Sequence, residues 1–308
     1  MTADEAPQLR PRAFVQRGAM LAALALLALS SGELGQPARR RAAVARLPPP
    51  LPRRVSTAVE RELGAFLQTS GRHLRSTSRV LETLRSFYPS STVVLFLDGG
   101  SAEVERELRG IARAQRVQHF FAGPRRGAGV LNNFGLKGEA NAAAAFGWFS
   151  RVLNASLLIE QSHFFYMEDD VVVVNRTDVS RLCCDLNGQA EDLSLADEVE
   201  DYVRRMNPFL KGRVGTRGLP FSGFGATVWR TQFWRDVAAG APEAVENDMA
   251  SYGTLDNMES DRLATFVAYL RNGTVGPWEG HTEPTHRDFS DKMARGVVQV
   301  IHNMKDLY

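Results

Sequence analysis

Three consecutive carboxylates interrupt an apolar run in His163-Phe164-Phe165-Tyr166-Met167-Glu168-Asp169-Asp170-Val171-Val172-Val173-Val174. Phe, Tyr and Val suit a pleated, packed surface, so each flank of the run predicts a buried strand. Unpaired carboxylates are very costly in a protein interior. We therefore expect the chain to reach the surface at Glu168, where a divalent cation would meet the carboxylate oxygens. An acidic turn at a strand end, with no ligand, is the alternative.

Outward from this run, strands and helices alternate through the N-terminal half of the folded region. The predicted strands cover 63–68, 92–97 and 117–121, and the predicted helices cover 73–87, a segment capped by Ser101, and 139–153. Such alternation is typical of an α/β fold, with a mostly parallel sheet and helices on both faces.

Polar residues stand where three of these strands end. Gln68 ends the first strand, Asp98 and Gly99 follow the second, and Glu168 to Asp170 follow the fourth. Because α/β sheets bind ligands outside the carboxyl ends of their strands, we expect these residues to line one crevice.

The C-terminal half gives a weaker pattern. The sequence predicts a helix over 190–206, a loop over 207–220, a helix over 257–270 and a strand over 296–305. The glycine- and aromatic-rich segment 221–229 indicates backbone that approaches a ligand or bends tightly.

The first 54 residues differ in composition from the rest of the chain. They contain nine Arg and three acidic residues, whereas the remainder carries a net charge of −4, which argues against nucleic-acid binding. Residues 18–32 are uncharged and rich in Ala and Leu, as in a signal peptide or short signal anchor. We expect a targeting segment over 1–35, a Pro/Arg-rich stem or linker over 36–54, and a single folded domain over 55–308.

Four other residues with reactive side chains, two cysteines and two histidines, are not expected to belong to a functional site. Cys183 and Cys184 are adjacent, and neighbouring cysteines hardly reach relaxed disulfide geometry, so we expect two thiols. His281 and His286 flank a loop and are expected at the surface.

The Glu168-Asp169-Asp170 motif, after an alternating α/β half, resembles the DXD motif of glycosyltransferases with the GT-A fold, with Glu168 in place of the first Asp. The resemblance covers roughly residues 60–308, and four further segments agree with it in order. They are Leu-Asp-Gly-Gly-Ser at 97–101, Leu-Lys-Gly-Glu-Ala-Asn-Ala at 136–142, Phe-Ser-Gly-Phe-Gly at 221–225 and Ile-His-Asn-Met-Lys at 301–305. The resemblance implies a GT-A fold and transfer of a sugar from a nucleotide-sugar.

The resemblance also implies roles for individual residues. Asp170 and His302 would bind Mn²⁺ or Mg²⁺, with Glu168 and Asp169 facing the ribose or the water around the ion. Contacts with the donor would come from Asp98, Gly99, Lys137, Asn141 and, at the leaving diphosphate, Lys305. The position of Gln68 at a strand end adds it to these donor contacts.

An inverting glycosyltransferase needs a carboxylate base on the acceptor hydroxyl. By resemblance, Glu259 and Asp261, and then Asp256, are the candidates in the acidic start of the predicted helix 257–270. Acidic residues also favour helix N-termini through the helix dipole alone. A retaining mechanism would need no such base, so both mechanisms stay open.

These inferences lead to one expected function. We expect a metal-dependent hexosyl- or N-acetylhexosaminyl-transferase that uses a UDP- or GDP-linked sugar and a glycan or glycoprotein acceptor. Sequons at Asn154, Asn175 and Asn272 favour the secretory pathway, so a single-pass type II protein of the Golgi or ER membrane is expected. In that arrangement only the N-terminal segment would contact the membrane; a secreted or organelle-targeted protein is the alternative.

Two other functions fit the same residues. One is a nucleotidyltransferase or metal-dependent phosphohydrolase, which would release pyrophosphate or phosphate. The other is a non-catalytic luminal protein that binds a nucleotide-sugar or a metal without turnover.

Overall fold

A computed structural model describes residues 63–123, 139–189, 197–207, 210, 219, 222–240, 260–285, 287–302 and 304. The strands are β1 Gly64–Thr69, β2 Val93–Leu97, β3 His119–Ala122, β4 His163–Met167, β5 Val172–Val173, β6 Leu186–Gln189, β7 Gly223–Arg230, β8 Val275–Pro277, β9 His281–Thr282 and β10 Val300–Ile301. The helices are α1 Leu74–Phe87, α2 Ala102–Ala114, α3 Glu139–Leu158, α4 Asp197–Met206, α5 Thr231–Ala239, α6 Ser260–Leu270 and α7 Phe289–Arg295.

Seven strands form one sheet in the order β3-β2-β1-β4-β7-β6-β8. β3, β2, β1 and β4 are parallel, β7 runs antiparallel to both of its neighbours, and β6 and β8 are parallel to each other. The predicted α/β fold with a mostly parallel sheet is therefore confirmed. β7 was not predicted as a strand, because its glycines hide the alternation of side chains between the two faces.

Helices pack on both faces of this sheet, as the sequence predicts. On one face, Tyr166 of β4 stacks on Trp229 of β7 with ring centroids 5.0 Å apart, and Trp148 of α3 meets the edge of Tyr166. On the other face, β1 and β2 pack against α1 and α2 through a separate apolar cluster that includes Leu67 and Leu81. Both clusters consist of buried apolar side chains, and the polar residues of the predicted site lie at the ends of the strands.

A second, three-stranded sheet has the order β5-β10-β9. β10 runs antiparallel to β5 and parallel to β9. The observed strand covers only Val300–Ile301 of the predicted 296–305, because Gly296, with φ of 66°, ends helix α7. The amino end of β5 and the carboxyl ends of β9 and β10 lie at one edge of this sheet, and that edge brings distant residues together.

The structure joins Cys183 and Cys184 in a disulfide between neighbouring residues, so the expectation of two thiols is wrong. Asn187 holds this turn, since its side chain accepts a hydrogen bond from the Cys184 N–H and donates one to the Cys184 carbonyl. Gly276 of β8 lies directly against both sulfur atoms, where any larger residue would collide. The turn held by Asn187 and the close approach of Gly276 thus accommodate the pair of adjacent cysteines.

The predicted targeting segment 1–35 and stem 36–54 lie outside the described residues. None of the described helices combines the length and the apolar character needed to cross a membrane.

Candidate metal centre

The acidic turn begins where β4 ends and leads into β5, so it passes from the large sheet to the small one. Backbone hydrogen bonds fix the C-terminal segment beside it, with Met304 N–H donating to the Asp170 carbonyl at 3.0 Å. The His302 N–H donates to the Thr282 carbonyl, also at 3.0 Å. The site is therefore built at the junction of the two sheets.

Glu168, Asp170 and His302 form a cluster of possible metal ligands. His302 Nε2 lies 3.4 Å from Asp170 Oδ1 and 3.5 Å from Glu168 Oε2, and all three ligand atoms lie within 4.8 Å of one another. Two neighbouring ligands of an octahedral ion, each about 2.1 Å from it, lie about 3 Å apart. Two carboxylates and an imidazole at these separations fit Mn²⁺ or Mg²⁺ after small adjustments.

The predicted pair Asp170 and His302 is thus brought together, although the two residues are far apart in the sequence. Asp170 and His302 are buried, whereas the Glu168 side chain is 24% exposed. Such a cluster is open to a ligand on the Glu168 side and closed on the other.

Glu283 is a member of the site that the sequence did not reveal. Its Oε1 lies 2.5 Å from His302 Nδ1, on the opposite side of the imidazole from the cluster, and both side chains are buried. Glu283 reaches His302 through the pairing of β9 with β10, which the sequence pattern does not predict.

Burial lowers the pKa of His302, but hydrogen bonds with Asp170, Glu168 and Glu283 outweigh it and raise that pKa well above the usual value. The carboxylates that stabilise the charged form of this imidazole are also the groups that would hold a cation.

Asp169 makes hydrogen bonds with the large sheet and with α1. Its Oδ2 accepts a hydrogen bond from Thr69 Oγ1 at 2.8 Å, and its carbonyl accepts one from the Ser76 hydroxyl. Asp169 thereby ties the acidic turn to β1 and α1. Its predicted place at the ribose or the metal-bound water stays a prediction, while the structure gives it an anchoring contact.

Gly225 of β7 presses against the site from the large sheet. A Cβ at this position would lie 2.9 Å from Cγ of Glu168, so only glycine fits. The Gly225 carbonyl is 3.1 Å from His281 Nε2, and the next residue, Ala226, has a left-handed φ of 72°. His281 is fully buried, so the expectation that it lies at the surface is wrong; His286 lies outside the described residues.

Gln68 and Asp98 lie at neighbouring strand ends, as predicted. Gln68 pairs with Phe96 across β1 and β2, and both of its buried amide atoms have no hydrogen-bond partner among the described residues. Arg151 of α3 lies over the Phe96 ring at 4.3 Å and pairs with Asp98 Oδ1 at 3.2 Å. Buried polar groups are normally hydrogen-bonded, so the Gln68 amide needs a partner from a polar ligand or from residues outside the described part of the chain.

Gly99 follows Asp98 with a φ of 90°, which glycine adopts without strain. The other predicted site residues are not placed. Lys137, Asp256, Glu259 and Lys305 lie outside the described residues. Asn141 and Asp261 lie in α3 and α6, but their side chains are outside the described part of the chain.

No known protein family and no curated protein matches this chain. Solved structures do resemble it. Galactosyltransferase LgtC, in complex with donor and acceptor sugar analogues, is 12% identical, with 77% of this chain and 86% of that chain covered and a TM-score of 0.45. Mouse xyloside xylosyltransferase 1, in its apo form, is 12% identical, with 79% and 97% covered and a TM-score of 0.46.

A third similar structure is core-mannan synthase A from Aspergillus fumigatus in its Mn/GDP form. It is 9% identical, with 71% of this chain and 73% of that chain covered and a TM-score of 0.44. Identities and TM-scores this low assign no function, so the geometry of the site has to carry the proposal.

Proposed function

We propose that this chain is a metal-dependent glycosyltransferase, which moves a sugar from a nucleotide-sugar donor to a glycan or protein acceptor. The observation that carries the proposal is the convergence of Glu168, Asp170 and His302 at the carboxyl end of β4. Ligands of parallel α/β sheets bind at that edge. From the sequence, the Glu-Asp-Asp resemblance to the DXD motif points to Glu168 and Asp170, and the resemblance of the segment 301–305 points to His302.

Asp170, His302 and Glu168 would hold the ion. When bound, Mn²⁺ or Mg²⁺ neutralises the charge that develops on the departing nucleoside diphosphate. One imidazole among oxygen ligands favours Mn²⁺ somewhat over Mg²⁺.

The protein's own residues orient the donor. Among the described residues, Gln68 has a buried amide whose donor and acceptor have no partner, and a planar base with complementary groups would satisfy both. Arg151 fixes the Asp98 carboxylate beside that position, so the carboxylate needs no reorganisation when a donor arrives. The proposed donor contacts also include Gly99, Lys137, Asn141 and Lys305.

The remaining parts of the proposal follow from the sequence. Glu259, Asp261 or Asp256 would serve as the base if the enzyme inverts the sugar. The donor would be UDP- or GDP-linked, and the transferred group a hexose or an N-acetylhexosamine. We place the protein in the Golgi or ER membrane, with its N-terminal segment as the anchor.

A donor panel tests the function. The purified full chain is incubated with UDP- and GDP-sugars, Mn²⁺ and a mixed glycan acceptor, and the released nucleotide is quantified. Asp170→Ala should reduce release by about 100-fold or more, because the Lewis-acid role is worth several kcal/mol. Asp201→Ala, which removes an exposed carboxylate on α4, is the matched control and should leave release unchanged.

Each rival has its own result in this assay. Pyrophosphate or inorganic phosphate as the product would indicate a nucleotidyltransferase or a phosphohydrolase. Donor-induced thermal stabilisation without any product would indicate a non-catalytic binding protein. Absence of both nucleotide release and Mn²⁺-dependent nucleotide binding would refute the proposal.

A further inference from the structure

We propose that Glu283 is a positioning residue, which fixes the ring orientation and the tautomer of His302 so that Nε2 faces the cation site. The proposal rests on the metal site of the proposed function. It adds a fourth residue to the three ligands, and it gives that residue a different task from theirs.

The small sheet sets these residues in a row. Ile301 pairs with Val172 on one side and with Thr282 on the other. Continued by one residue, the same registers place His302 beside the acidic turn on one side and beside Glu283 on the other. The row is therefore a consequence of backbone pairing and needs no long, flexible side chain to form.

Glu283 is on the wrong side of the ring to be a ligand of the same ion. Its Oε1 contacts Nδ1, whereas Glu168 and Asp170 approach Nε2. A carboxylate accepts hydrogen bonds only, so contact with Glu283 keeps a proton on Nδ1. The neutral ring then carries its lone pair on Nε2, which is the nitrogen that the cation needs.

The carboxylate of Glu283 is itself held. Thr285 Oγ1 donates to Oε2 at 3.4 Å while Oε1 faces His302, and only 6% of Glu283 is exposed. The Thr285 contact is long for a hydroxyl hydrogen bond, so burial and the short contact with His302 are what restrict the carboxylate and the imidazole. This rigidity distinguishes a positioning residue from a surface charge that merely attracts cations.

The test measures Mn²⁺ affinity of the full chain by calorimetry. Glu283→Ala should weaken binding by roughly 10- to 100-fold, the usual effect of removing a carboxylate behind a metal-bound histidine. Glu283→Gln, which keeps an oxygen acceptor for Nδ1–H, should retain more of the affinity and guards against a folding defect. Glu279→Ala, which removes an exposed carboxylate four residues earlier, should match the unmodified protein.

A cycle with His302 separates positioning from a general structural effect. In a His302→Ala background, Glu283→Ala should cause no further loss of Mn²⁺ affinity, since there is no ring left to orient. An equal loss in both backgrounds, or unchanged affinity in Glu283→Ala alone, would overturn the proposal. If the unmodified chain binds no Mn²⁺, both this proposal and the metal site fail; if it binds Mn²⁺ without releasing nucleotide, only the glycosyltransferase function fails.

Nitrogen NMR of the histidines gives a readout independent of metal and of activity. In the metal-free protein, the Nδ1 proton of His302 should be protected from solvent exchange, and Glu283→Ala should abolish that protection. The His302→Ala spectrum assigns the signal. A His302 Nδ1 proton that exchanges as fast in the unmodified protein as in Glu283→Ala would contradict the proposal.

Discussion

Thr69 offers the sharpest test of how the acidic turn is held. Its Oγ1 donates to Asp169 Oδ2 at 2.8 Å, accepts from the Gly71 N–H at 3.0 Å and lies 3.2 Å from Thr77 Oγ1. Thr69 is fully buried and Asp169 is only 8% exposed, so water cannot replace either bond. Thr69→Val keeps the shape of the side chain and removes the hydroxyl.

The expected loss follows mainly from the hydrogen bonds with Asp169 and Gly71, which are shorter than the Thr77 contact. A hydrogen bond to a charged group contributes about 1.5–3 kcal/mol, and a neutral one about 1 kcal/mol. Thr69→Val should therefore lower the free energy of unfolding by about 2–4 kcal/mol. Urea unfolding of the metal-free protein measures it, and Mn²⁺ affinity should fall as well because Asp170 follows Asp169 directly.

Thr231→Val is the matched control for this change. Thr231 Oγ1 is buried and has no hydrogen-bond partner among the described residues, so exchanging it for a methyl group should cost nothing or should stabilise the protein. A double-mutant cycle of Thr69→Val with Asp169→Ala should give a coupling of about 1.5–3 kcal/mol. If the coupling is near zero, or if both Thr→Val changes have the same effect, the anchoring role of Asp169 is refuted.

Three further predictions concern stability. Gly225→Ala should lower the free energy of unfolding by about 1–3 kcal/mol and weaken Mn²⁺ binding, because the new Cβ would collide with Glu168. Its control is Gly110→Ala, at an open position in α2, which should raise the free energy of unfolding by about 0.5–1 kcal/mol in the same urea assay. Arg85→Met should cost about 3 kcal/mol or more in urea unfolding, since this buried guanidinium donates to several backbone carbonyls that would lose their donor; a smaller loss would show that water reaches them. The raised pKa of His302 should stabilise the metal-free protein. This stabilisation should be complete at pH values below the ordinary histidine pKa and should disappear as the pH rises through the raised pKa. Urea unfolding at increasing pH measures it, and the trend should be absent in the control His302→Gln.

The sequence predicts those strands and helices whose own residues carry a clear pattern or cap. The continuous apolar run of β2 and the Ser101 cap of α2, which accepts from the Val104 N–H, appear where their residue types require. β7 was not predicted, because its glycines hide the alternation of side chains, and its register is seen only in the pairing of Thr227 with Tyr166 of β4. Gly225 leaves room for the Glu168 side chain, and glycines of this kind interrupt the alternating pattern by which a strand is predicted.

The candidate site divides along the same line. Glu168 and Asp170 are visible in the sequence because three charges in an apolar run conflict with their surroundings, and His302 entered only through family resemblance. Glu283 leaves no such trace, since an acidic residue in a polar segment conflicts with nothing. The parallel pairing of β9 with β10 sets Glu283 beside His302. The proposed role of Glu283 can therefore be inferred only once this strand pairing is known.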